Sequence, residues 1–235
     1  MKGFFKSSIG KKLIMSVTGC FLILFLTFHM CMNFVAIISA EGYNTVCEFL
    51  GSNWYALVGT AILALGFVFH IVYATILTIQ NRKARGNDRY DNQNLPAGVE
   101  WSSKNMYILG AIVFGGLLLH FCQFWSKMMF AELAGCEDAV PAGFATEGWT
   151  CATTDGAAWI KYYFSQWYMV LLYLVWFAAI WLHLNHGFWS MFQTIGASND
   201  KWLPRLKAIS TVYTTILMLG FAAVAIAGFI QGSGC

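Results

Sequence analysis

Charge is the scarcest property of this chain. Asp, Glu, Lys and Arg make up 11% of its 235 residues and hydrophobic residues 58%, where a soluble domain carries about 25% charged residues. That deficit excludes a water-soluble globule. The 14 basic and 11 acidic residues fall between five apolar runs, at about 13–39, 55–79, 106–130, 164–192 and 209–231, inside which Lys127 is the single charge. Each run exceeds the roughly 20 residues a helix needs to cross the hydrocarbon core, and the longer ones leave room for tilt. The strands of a membrane barrel are excluded too, because they read as alternating segments of about ten residues. The expected fold is an all-α membrane protein of five transmembrane helices in one domain, residues 1–235.

The few charges also set direction. Lys2, Lys6, Lys11 and Lys12 precede the first run, Arg82, Lys83, Arg85, Arg89 and Lys104 separate the second from the third, and Lys201, Arg205 and Lys207 separate the fourth from the fifth. The opposite loops hold only Lys127 and Lys161 of the basic residues, beside Glu41, Glu48, Glu132, Glu137, Asp138, Glu147 and Asp155. The positive-inside rule then expects a cytoplasmic N-terminus, an external C-terminus and a multi-pass location in the cytoplasmic (inner) membrane. The formal charge of +3 is this asymmetry and gives no sign of a nucleic-acid partner. Val17-Thr18-Gly19-Cys20 looks like a lipoprotein processing site, but the stretch from Leu13 to Cys20 is barely long enough for a signal peptide and the apolar run continues to Ser39. An uncleaved helix is expected there.

The seven cysteines lack metal-binding spacing. Cys20, Cys31 and Cys122 read as small apolar residues within spans. Cys136 and Cys151 share the longest outer loop and are candidates for a disulfide that braces it. Cys47 and Cys235 have no assigned role.

Imidazole is the polar group that the spans do contain. His29, His70, His120, His183 and His186 all lie in apolar runs, and the runs hold no carboxylate. Ionisable groups in hydrocarbon are costly and mark functional sites. His29, His70 and His120 each stand twelve residues before a loop charge (Glu41, Arg82 and Glu132), and His186 stands fourteen before Asp200. Twelve residues of helix span about 18 Å. With alternating helix direction, His29 and His120 then share one depth and His70 and His186 another. One nitrogen ligand on each of two helices at matched depth suits a planar macrocycle whose iron is ligated on both faces, so two b-type haems are expected. Zinc sites would need further cysteine or acidic ligands, and proton relays usually include carboxylates. His183, three residues from His186, is an alternative ligand or a hydrogen-bonding group near haem or quinone. Gly66 and Gly116, each four residues before a histidine, are candidates for haem packing, with ordinary helix packing as the rival.

Two segments carry a family resemblance. Ser8-Ile9-Gly10-Lys11-Lys12-Leu13-Ile14-Met15-Ser16-Val17-Thr18-Gly19, running on through Phe28-His29-Met30 to Asn33, resembles the first helix of the cytochrome b subunit of succinate dehydrogenase and fumarate reductase. Trp181-Leu182-His183-Leu184-Asn185-His186-Gly187-Phe188-Trp189-Ser190-Met191-Phe192-Gln193 resembles the His-Gly-Phe-x-Ser-x-Phe-Gln signature of its single-chain, five-helix, dihaem branch. The resemblance implies a membrane anchor for a flavoprotein subunit, with FAD and the dicarboxylate site, and for an iron-sulfur subunit with its clusters. The dicarboxylate chemistry would reside on those partners, and the anchor would exchange electrons with a quinone, menaquinone by the dihaem resemblance. It further implies His70 and His186 on the proximal haem, His29 and His120 on the distal one, and Glu48 as an acid or base at an outer quinone site. A solvated loop carboxylate is the simpler reading of Glu48. Some members carry a carboxylate two residues before the last ligand; Leu184 stands there in this chain and has no proton to pass. Direction of the reaction and pairing of complexes into dimers stay open. A rival of another class is a membrane transporter or scaffold whose histidines handle metal or protons.

Overall fold

A computed structural model describes residues 7–51, 53–85, 101–141 and 150–232. Lys2, Lys6, Arg89, Glu147 and Cys235 lie outside the described residues. The elements run α1 (Ser8–Ile38), α2 (Ala40–Phe49), α3 (Trp54–Arg85), α4 (Trp101–His120), a π-helical turn (Phe121–Trp125), α5 (Met129–Leu133), β1 (Asp138–Ala139), β2 (Cys151–Ala152), α6 (Gly156–Phe164), α7 (Trp167–Thr194) and α8 (Trp202–Gly232). Five helical segments are long and apolar enough to cross a membrane: Ile9–Ile38, Trp54–Ala84, Trp101–Trp125, Trp167–Thr194 and Trp202–Gly232. Their flanks keep large side chains in the open, Leu24, Ile62, Leu171 and Leu219 being more than half exposed. Such surfaces suit lipid and not water.

The helices differ from the charge-free runs at their ends. Lys11 and Lys12 lie within the start of α1, Arg82 and Lys83 within the end of α3, and Arg205 and Lys207 within the start of α8. Helical hydrogen bonding continues through the headgroup zone, where charge is tolerated, so loss of charge marks the hydrocarbon and not the helix. The third segment is displaced most, at Trp101–Trp125 in place of 106–130. Its π-helical turn ends before Lys127, which lies in the following turn.

Local chemistry sets the other boundaries. Ser39 separates α1 from α2 by accepting the Gly42 N–H at 3.0 Å, and Asp155 caps α6 through Ala158 N–H, also at 3.0 Å. Such caps contribute about 1 kcal/mol each. Gly135 after α5 and Gly196 after α7 have φ of 79° and 77°, and in both the following residue donates five residues back, Cys136 to Ala131 and Ala197 to Phe192. Both are Schellman closures, for which glycine is favoured. Asn199 Oδ1 then accepts from Lys201 and Trp202 N–H at 3.0 Å each, starting α8.

The chain forms two compact units. The first draws on Met1–Phe25, Ile62–Ala111 and Ile180–Thr215, the second on Leu26–Ala61, Ile112–Ala179 and Ile216–Cys235. In the first, α7 and α8 are joined by Ser210 Oγ to Asn185 O at 2.5 Å and by Trp181 Nε1 to Thr215 Oγ1 at 3.0 Å. Lys11 Nζ donates to Gln80 Oε1 across α1 and α3 at 3.2 Å. In the second, α2 and α6 are tied by Asn44, whose Nδ2 donates to Asp155 Oδ1 at 2.7 Å while its Oδ1 accepts from Ala157 N–H at 2.9 Å. Trp159, Tyr163 and Cys151 form a buried cluster beside them.

Cys136 and Cys151 are separate free thiols. Antiparallel pairing sets Ala139 opposite Cys151, which leaves Cys136 three residues along, about 10 Å away at strand rise. That exceeds the roughly 7 Å Cα reach of a disulfide. The ladder and the Thr153 N–H to Glu137 O bond at 2.9 Å brace the loop instead. Burial, reinforced by Asp155 and Asp138, pushes the Cys151 thiol up to about 11, whereas Cys136 is exposed. Alkylation at pH 8 should therefore modify Cys136 in the folded protein and reach Cys151 only after unfolding. Peptide mapping that found the two residues disulfide-linked would contradict this pairing register.

Candidate functional site

Four of the five described histidines gather into two pairs, one in each unit. In the first, His70 of α3 faces His183 of α7 with ring centroids 6.4 Å apart and planes at 69°. His70 Nδ1 lies 3.1 Å from Thr18 Oγ1. That hydroxyl donates its one proton to Ile14 O at 2.8 Å, so its oxygen is left to accept the Nδ1–H of His70. This fixes the tautomer and leaves Nε2 with a lone pair for a metal. Space for both rings comes from glycine: a Cβ at Gly19 would stand 3.5 Å from His70 Cε1, and one at Gly110 would stand 3.4 Å from His183 Cε1.

In the second unit His29 of α1 faces His120, the last residue of α4, with centroids 5.8 Å apart and planes at 86°. The His120 ring also meets Phe124, Trp176 and Tyr173 at 5.2, 6.0 and 6.4 Å, and Phe221 stands 5.8 Å from His29. The π-helical turn begins directly after His120. Wide turns of this kind concentrate at functional sites, and here the turn buries Gln123, whose Oε1 accepts from Tyr173 OH at 2.7 Å and whose Nε2 contacts Met169 Sδ at 3.4 Å.

Two imidazoles on opposite faces of one iron have centroids about 6 Å apart, given metal–nitrogen bonds of about 2 Å. Both pairs match that spacing. The Nδ1 atom of His120 is buried and makes no hydrogen bond of normal geometry among the described residues, an arrangement that ordinarily costs about 1–3 kcal/mol, while the His183 ring has the Met106 backbone as a partner. No group of three or more His, Cys, Asp or Glu side chains converges as a metal site among the described residues. Two imidazoles alone make half of a tetrahedral zinc site but complete the axial ligation of a porphyrin, which brings its own four nitrogens.

The remaining sequence candidates fall as follows. Depth along the helices pairs His70 with His186, whereas the structure brings the His183 ring to His70. His186 instead packs edge-on against Trp189 at 4.7 Å, and Lys207 Nζ stands 4.6 Å from that indole. Three residues change depth by only about 4.5 Å, comparable to the uncertainty of a loop marker, so rotation about the helix decides which ring faces α3. A Cβ at Gly66 would stand 3.0 Å from the Phe21 ring, and one at Gly116 would overlap the Trp176 indole, which donates to Val113 O at 3.0 Å. Those two glycines admit aromatic side chains, while Gly19 and Gly110 adjoin the imidazoles. Glu48 lies exposed on α2, and its backbone oxygen accepts from Gly51 N–H and Asn53 Nδ2 at 3.3 Å each. No described contact joins it to either histidine pair.

Fold and site together define a largely helical protein with five membrane-length helices and two histidine pairs held between helices. Compared with family models, curated proteins and solved structures, the chain gives no match.

The glycines yield a packing test. Gly116→Ala should destabilise the detergent-solubilised protein by about 1–3 kcal/mol through overpacking against Trp176. Gly115→Ala, whose Cβ would meet nothing within 4 Å, should be neutral or stabilising in thermal unfolding. Equal effects would show that Trp176 is free to move aside.

Proposed function

We propose that this chain is the dihaem cytochrome b membrane anchor of a succinate:quinone oxidoreductase, a succinate dehydrogenase or fumarate reductase. In this reading it carries electrons between an iron-sulfur subunit and membrane quinone. The observation that carries it is the pairing of His29 with His120 at 5.8 Å and of His70 with His183 at 6.4 Å, spacings at which two imidazoles would hold one haem between them. The resemblance of the first and fourth spans to that family supplies the narrower assignment and the quinone, menaquinone by the dihaem resemblance. The dicarboxylate chemistry, FAD and the iron-sulfur clusters belong to partner subunits.

His29 and His120 would hold one haem, and His70 and His183 the other. Bound there, haem supplies a one-electron carrier. Thr18 keeps the His70 lone pair available, and the aromatic side chains around His120 exclude water. Lys11, Lys12, Arg82, Lys83, Lys104, Lys201, Arg205 and Lys207 would face the cytoplasm in the inner membrane, where they attract soluble partners as well as anionic lipid. Glu48 serves in this reading as an acid or base for quinone from the external side, working from α2 and not from the histidine pairs.

Membranes containing the expressed protein, reduced with dithionite, should show a b-type α band. Its absence sinks the proposal in favour of a transporter or scaffold. Single substitutions separate the two candidate ligands: His183→Ala should lose one haem and His186→Ala should retain both. The reverse result would restore the pairing that depth alone suggests.

A further inference from the structure

Aromatic rings grip His120 from one turn on either side of it. Phe124, one turn later in the π-helical turn, meets the imidazole at 5.2 Å with planes 33° apart. Trp176 of α7 meets it at 6.0 Å, also at 33°. The indole reaches it over Gly116, one turn earlier, where a Cβ would overlap it. Tyr173 closes a further side edge-on, at 6.4 Å and 65°. Flat rings packed this closely leave the imidazole little freedom to turn about its Cβ–Cγ bond, because a large rotation would drive its edge into one of them.

Each of the three rings is itself tied down. Trp176 Nε1 donates to the Val113 carbonyl of α4 at 3.0 Å. Tyr173 OH donates to Gln123 Oε1 at 2.7 Å, and Gln123 is 2% exposed. Phe124 packs against Tyr163 and Phe164 of α6 at 5.3 and 6.2 Å. The π-helical turn that carries Gln123 and Phe124 has its own support in Ser126. Its N–H reaches back five residues to Phe121 O at 2.8 Å, and its hydroxyl donates at 2.8 Å to the Cys122 carbonyl, which an α-helix would have filled with that same N–H. A carbonyl left empty in hydrocarbon is costly, so the hydroxyl stabilises the widened turn. Ring orientation that is locked by packing and by such outer hydrogen bonds is what a precise ligand site requires.

Across from this clamp, the His29 ring stands at 86° to His120. We infer that Trp176 and Phe124 are positioning residues for His120, which fix the plane of its imidazole and so keep the two ligand planes of this pair near perpendicular when haem is bound. The inference rests on the haem reading above. Its consequence is electronic. In an iron held by an imidazole on each face, each ring interacts with the d orbital that stands perpendicular to its own plane. Crossed rings act on two different orbitals and leave them close in energy, whereas parallel rings separate them. A small separation makes the low-spin ferric electron paramagnetic resonance signal strongly anisotropic, with its low-field feature at large g.

The test is low-temperature electron paramagnetic resonance of the oxidised full-length protein within its native complex, with haem content measured on the same samples. A strongly anisotropic low-spin signal should be present and should be assignable to this pair by its loss in His29→Ala. Trp176→Leu and Phe124→Leu should each retain both haems while the low-field feature of that signal moves to smaller g, and the double variant should move it further. Trp176→Phe, which returns a flat ring, should reverse part of the shift. The signal of the other haem should stay where it is throughout, since Thr18 holds His70. Where Trp176→Leu loses its haem outright, Phe124→Leu decides by the same reading. An unchanged g in both leucine variants, equal shifts of both haems, or a signal of ordinary anisotropy in the unsubstituted protein overturns the inference alone. Absence of haem from the unsubstituted protein overturns the functional reading and the inference with it.

Discussion

Hydrocarbon has no water to offer a polar side chain, and everything specific about this protein follows from how its imidazoles are provided for without it. In each of the two pairs one ring stands beside a polar side chain of α1. Thr18 holds His70 and Asn33 stands against His29, while the His183 ring bonds the Met106 backbone and His120 packs among Phe124, Tyr173 and Trp176. The two pairs lie in separate units of the chain.

That requirement reaches into the connecting segments. Asn33 bonds the His29 carbonyl, Tyr43 of α2 bonds Asn33, and Asn44 ties α2 to α6. The π-helical turn after His120 has a parallel role. By widening the helix it buries Gln123 against Tyr173, whose ring also borders His120. Short elements beyond the membrane-length helices thus have a structural reason to be ordered.

How much of this was legible in the sequence follows from what each feature depends on. The five spans could be read because they depend on composition alone. Their ends could not, because Gly135, Gly196, Asn199 and Asp155 decide them through local hydrogen bonds that the surrounding charge pattern does not reveal. Depth brought His29 to His120 by counting along the helices. Rotation was invisible to that count, which is why His183 and not His186 meets His70. Gly66 and Gly116 were conspicuous for their spacing from histidines on their own helices, yet Gly19 and Gly110 adjoin the rings, since the contact is made between helices. The Tyr43–Asn33 bond likewise joins α2 to α1, and no sequence period reports it.

The central claim is that two pairs of imidazoles each close on one iron. Haem extraction and quantitation on the purified full-length protein, combined with low-temperature electron paramagnetic resonance of its oxidised form, tests this most directly. The account predicts two low-spin haems per chain, both with bis-imidazole signatures. A chain without haem, or with a high-spin centre whose signal survives removal of His29 or His70, would contradict it.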